Sequence, residues 1–203
     1  IQPEATWSVE DGRKWLYRLY RSNAERSSPE VVDKGPNVHL VRAGFLTTCF
    51  PEARFLLVVR DPVANIEGFR RKWPIFARAS VRDNIGFYGR THERFLELAD
   101  EFSLDVTVVS YEDLVARYED ILDELGGRLG LSPRAVVASV DPRPQSGGKG
   151  IRNVVDGRIA VLPKTNESSY EKLNQDEISL IRADLGDLHG RLLTHRLSGR
   201  ERS

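Results

Sequence analysis

The sequence has no methionine, one cysteine and no long apolar run, and its charges cancel. Each absence narrows what the protein can do. The single cysteine, Cys49, excludes an internal disulfide and any zinc site built from several thiolates. Four scattered histidines add no ligand cluster, so no metal is expected. Every apolar run is far shorter than the ~20 residues that cross a bilayer. No basic-then-apolar signal opens the chain, so no membrane span is expected in this segment and a cytoplasmic location is the default. Thirty basic residues against thirty acidic ones give a formal net charge of zero, so an anion site must be local and no nucleic-acid partner is expected. The lack of methionine, with Ile1 first, is read as a chain whose amino end has been lost or processed away. What is present fits one folded α/β domain over residues 1–203. With 40% hydrophobic and 30% charged residues, the chain is long enough to bury a core.

One stretch organises the rest: Phe50-Pro-Glu-Ala-Arg-Phe-Leu-Leu-Val-Val-Arg60-Asp-Pro62. Its apolar run, 55–59, is short and rich in β-branched and aromatic residues, and it stops at a charged pair followed by proline. That pattern predicts a buried strand ending in a turn. Pro62 fits the first turn of a helix over 62–72, where its missing N–H costs nothing. Arg60 therefore stands at the carboxyl end of a strand, the edge where open α/β sheets bind ligands, and a cation there suits an anion. An ordinary solvated strand end is the alternative for Arg60 and Asp61.

The flanking text predicts further elements. Trp15, Leu16, Leu19 and Tyr20 recur at helical spacing across 10–25, with basic residues on the other faces. Ser27-Ser-Pro29 breaks that helix. Val31-Val32 starts a short strand that delivers Asp33-Lys34-Gly35-Pro36, either an anion-facing lysine or a plain loop lysine. A short helix over 37–48 would bury Val38, Val41, Phe45 and Leu46, with Cys49 a buried structural thiol at its end. Residues 76–102 read as mostly helical cover for the core. A strand over 107–110 brings Tyr111 to the same edge as Arg60, and Glu112 and Asp113 open the next helix as structural acids. The glycine-rich run 145–150 lacks the spacing of a phosphate loop and reads as surface loop. Asn166-Glu-Ser168 is a glycosylation triplet, meaningful only in a secreted protein. A last helix runs from 174 to about 195.

In the Asp33-Lys34-Gly-Pro block, the "FPxAxFLxxVRDP" strand and turn, and the "VxxYEDL" strand and helix, the chain resembles the sulfotransferases that use 3'-phosphoadenosine 5'-phosphosulfate (PAPS). The resemblance is good over about 30–131 and weak elsewhere. It implies a P-loop-NTPase-like parallel sheet flanked by helices, with the amino-terminal strand and phosphosulfate loop missing. It also implies a nucleotide donor and an acceptor that is a glycan, protein, lipid or small metabolite. By that likeness Lys34 would face the transferring sulfuryl group, Arg60 would hold the 3'-phosphate and Tyr111 would stack on adenine. Lys164, just before Tyr170, would be a further phosphate contact. Gly68 stands eight residues after Arg60, where the family carries a serine on the 3'-phosphate, so the site lacks one hydroxyl donor. Without the 5'-phosphosulfate loop the chain alone is expected to be inactive. A nucleotide-dependent small-molecule kinase and a non-catalytic binding module on the same fold are the rival readings.

Overall fold

The computed structural model describes residues 8–23, 35, 40–130, 154–155, 158–159 and 166–194. Lys34, the glycine-rich run and Lys164 lie outside the described residues. The chain packs as two compact units, residues 1–55 with 90–106 and residues 56–89 with 107–203.

In the first unit, helix α1 (Val9–Asn23) starts where Ser8 and Asp11 cap one another: Asp11 N–H donates to Ser8 Oγ at 3.1 Å, and Ser8 N–H to the Asp11 carboxylate at 3.3 Å. Its buried face is Gly12 and Leu16, one turn apart. Trp15 and Leu19, expected inside, are 51% and 42% exposed. The reason is close approach. A Cβ on Gly12 would lie 3.0 Å from the Phe45 ring and 3.5 Å from Cys49 Sγ, so the helix packs through Gly12 and Leu16 and leaves Trp15 and Leu19 outside.

The same logic corrects the expected helix over 37–48. Its described part is a 3-10 turn, Leu40–Arg42, followed by α2, Ala43–Cys49. This helix buries Ala43, Gly44 and Cys49, while Val41 and Phe45 remain about half exposed. Phe102 covers Gly44 so closely that a Cβ would meet its ring at 2.7 Å. Cys49 is buried, its thiol donates to Val9 O at 3.9 Å, and burial pushes its pKa up, as suits an inert structural thiol.

Strand β1, Arg54–Val59, pairs in parallel with β2, Asp105–Ser110. Between them in sequence run α3 (Pro62–Lys72), α4 (Pro74–Arg78) and α5 (Val81–Glu101). This is the α/β arrangement expected from the sequence, with Pro62 in the first turn of α3. Asp61 caps α3 by accepting Ala64 N–H at 2.9 Å.

In the second unit, α3 buries Pro62, Val63, Ala64, Ile66 and Glu67. Phe69, Phe76 and Phe87 meet beyond it, with ring centroids 5.0 to 6.3 Å apart. After β2 come α6 (Tyr111–Ala116) and α7 (Tyr118–Leu129), and Val109 packs with Ile121, Leu114 and Leu125. Gly130 ends α7 with φ 68°, the left-handed turn that glycine takes most readily. A small antiparallel pair follows, β3 (Val154–Val155) with β4 (Arg158–Ile159), registering Val154 on Ile159. Helix α8 (Glu167–Tyr170) and the long α9 (Gln175–Leu193) both pack on α3. Ile178, Ile181, Leu185, Leu188 and Leu192 form the buried stripe of α9, and Asn174 and Glu177 close its amino end with a capping box. Among the described residues, no helix is long and apolar enough to cross a membrane. No group of three or more histidine, cysteine or acidic side chains among them could hold a metal ion.

Candidate functional site

The parallel pairing puts the carboxyl ends of β1 and β2 side by side, so Arg60 and Tyr111 follow directly from neighbouring strands. The Arg60 guanidinium lies over the Tyr111 ring, with Cζ 4.9 Å from the centroid. Arg60 also donates its Nε–H to Asn166 Oδ1 at 2.9 Å across 106 residues of sequence.

Glu112 ties the strand ends together. Its Oε1 accepts the backbone N–H of Asp61 at 3.0 Å and Asn166 Nδ2 at 2.6 Å, while Oε2 takes the Ser110 hydroxyl at 3.2 Å. Burial alone would raise the Glu112 pKa. The bonds from Asp61, Asn166 and Ser110 outweigh it and hold the carboxyl below the ordinary glutamate range. A carboxylate with these partners is a fixed acceptor rather than a proton shuttle. Glu112, expected as an acid that opens and caps its own helix, instead accepts from Asp61 and Asn166. The N-cap of α6 is Ser110, whose Oγ accepts Asp113 N–H at 3.2 Å.

Asn166 is the residue that sequence reasoning missed. It was noticed only as the first position of a glycosylation triplet, and the nitrogen that would carry a sugar is the one bonded to Glu112. The signal that could have found it is chemical. A guanidinium only donates and a carboxylate only accepts, so a neutral bridge between them must do both, as an amide does.

Below this layer, buried Glu67 accepts the buried Ser169 hydroxyl at 3.0 Å, joining α3 to α8. Arg71 Nε reaches the same carboxylate at 3.0 Å and Lys172 Nζ at 3.7 Å. Arg70 pairs with Glu177 at 2.9 Å, and Lys72 lies 5.3 Å from the Trp73 ring. The basic end of α3 is thus largely committed to neighbours. Tyr88 is fully buried, and burial, followed by the charges of Asp61 and Glu112, drives its hydroxyl pKa far up. Tyr170 is raised by burial and by Asp61, with Arg182 acting the other way and lying over its ring at 5.4 Å.

Of the five residues singled out from the sequence, Arg60 and Tyr111 come together. Gly68 lies in α3, the helix that follows Arg60, where an added Cβ would meet nothing within 4 Å. Lys34 and Lys164 fall outside the described residues, although Gly35, next to Lys34, is partly buried.

A sequence model described as the sulfotransferase family matches residues 2–134. The chain belongs to the sulfotransferase family. The match runs from the amino end past α7 and includes Lys34, Arg60, Gly68 and Tyr111; Lys164, Asn166 and Ser169 lie beyond it. No curated protein and no solved structure matches the chain. A sulfotransferase is a transferase that needs a sulfuryl donor and an acceptor, and a fixed cation beside an aromatic face at the sheet's carboxyl edge is chemistry suited to a donor carrying phosphate and a base.

Proposed function

We propose that the protein moves a sulfuryl group from PAPS to a hydroxyl or amine of its acceptor. In that reaction the bond between sulfur and the bridging phosphate oxygen breaks, a new bond forms between sulfur and the acceptor oxygen or nitrogen, and the acceptor proton is lost to a base. 3'-Phosphoadenosine 5'-phosphate leaves. The observation that carries this reading is the Arg60 guanidinium held against Tyr111 where two parallel strands end. A planar cation suits the 3'-phosphate by paired, charge-assisted hydrogen bonds, and the phenol ring offers a stacking face to adenine. Lys34 supplies positive charge where the leaving phosphate oxygen gains negative charge, which favours the transition state over the ground state. Lys164 adds a second cation toward the phosphates. Gly68 leaves the 3'-phosphate without the serine hydroxyl common in relatives.

Equilibrium titration of the intact protein with 3'-phosphoadenosine 5'-phosphate tests the donor half. Arg60→Ala is expected to weaken binding by about ten- to a hundredfold, the worth of hydrogen bonds to a charged group. Binding untouched by that change would count against the assignment. Gly68 favours a second reading, a module that keeps the fold and binds no nucleotide. A well-folded intact protein that ignores both 3'-phosphoadenosine 5'-phosphate and ATP would establish it, and a preference for ATP would point to a kinase instead.

A further inference from the structure

The segment at 166–169 lies beyond the residues that the family match covers, yet two of its side chains reach the strand-end layer and the helix below it. Asn166 bridges Arg60 and Glu112, bonds that span 106 and 54 residues of sequence. Three residues on, Ser169 is buried and bonded to Glu67 across 102 residues. The first pair of bonds fixes a guanidinium, and the second fixes the turn that carries the amide. Charge dictates which way the amide points, because the carboxylate can only accept its N–H and the guanidinium can only donate to its oxygen. Aspartate at this position would offer Arg60 an acceptor but confront Glu112 with a like charge. Alanine would remove the acceptor of the Arg60 Nε–H and the donor to Glu112.

We propose that Asn166 is the positioning residue for the anion-binding arginine, with the Ser169–Glu67 bond as the latch that keeps it in place. Asn166 acts through Arg60 and contacts no reacting atom. The identity of the anion, the nucleotide 3'-phosphate, rests on the donor reading above; the positioning itself rests on the bonds.

The test compares two ligands in the intact protein, 3'-phosphoadenosine 5'-phosphate and adenosine 5'-phosphate, because the ratio of their affinities isolates the 3'-phosphate. Asn166→Ala is expected to lower that ratio about tenfold while leaving the affinity for adenosine 5'-phosphate unchanged. In an Arg60→Ala background the same change should have no further effect on the ratio. Ser169→Ala, a milder change, should lower the ratio in the same direction by less. An unchanged ratio in Asn166→Ala overturns the proposal, and so does a fall that persists in full when Arg60 is already alanine. A wild-type protein that does not distinguish the two nucleotides overturns the 3'-phosphate assignment instead. The Arg60 Nε–H resonance in nitrogen-15 NMR then decides the positioning without any ligand. A signal that shifts and exchanges faster in Asn166→Ala supports it, and a signal indifferent to Asn166 overturns it.

Discussion

Two regions of this molecule solve the same problem, holding distant segments together, by opposite means. Around α2 the contacts depend on what is absent: Gly12 and Gly44 have no side chain, and Phe45 and Phe102 occupy the space. Around Arg60 they depend on functional groups, with Glu112, Asn166, Glu67 and Ser169 joining segments 51 to 106 residues apart through side-chain hydrogen bonds. Close apolar packing is sensitive to volume and indifferent to pH. A polar lattice is sensitive to chemical identity and to protonation.

That contrast can be broken first at Glu112. Glu112→Ala removes the acceptor of the Asp61 N–H and of Asn166, and it is expected to cost about 3 kcal/mol in chemical denaturation. The same group gives the pH signature. Its carboxyl pKa is lowered in the folded state, so its contribution is complete above the ordinary glutamate range and is lost as pH falls through the lowered folded value. Acid titration of stability should therefore be flatter in Glu112→Gln than in wild type, and identical curves would refute the role.

Glu67→Ala is expected to come next, at about 2 kcal/mol, because it removes the buried acceptor of the Ser169 hydroxyl while Arg71 and Lys172 are exposed enough to find water. In the other region, Gly44→Val should cost about 1–2 kcal/mol by driving out the Phe102 ring, with no change in the pH profile. Pairing it with Phe102→Ala should recover part of that loss, and a purely additive double variant would contradict the packing account. Smallest is Gly68→Ser. With open space at its Cβ, it should raise stability by about half a kcal/mol through helix propensity. On the donor reading it should also tighten 3'-phosphoadenosine 5'-phosphate binding.

The same contrast explains what could be read from the sequence. Strand β1, Pro62 at the start of α3, strand β2 and the start of α9 are local patterns of apolar spacing and turn chemistry, legible in order, but β1 is not the buried strand expected, since Leu56 and Val58 are about half exposed. Arg60 and Tyr111 were legible because each directly follows a strand. On α1 and α2, Leu16 and Cys49 are buried as expected, but Trp15, Leu19, Val41 and Phe45 are not, because periodicity favours large apolar residues whereas Gly12, Ala43 and Gly44 make the close contacts. Asn166 and Ser169 were illegible as site residues because nothing near them in sequence predicts partners more than 50 residues away.

The spacing of these bonds also bears on how the chain acquires its structure. A ribosome adds Arg60 more than a hundred residues before Asn166, and loops of that length form slowly because the entropy of closing them is lost before any contact rewards it. Strands and early helices can settle while the nascent peptide is still short. The arginine meets its amide only once Asn166 has been made, so this bond closes after β1 and the start of α3 are already in place to receive it.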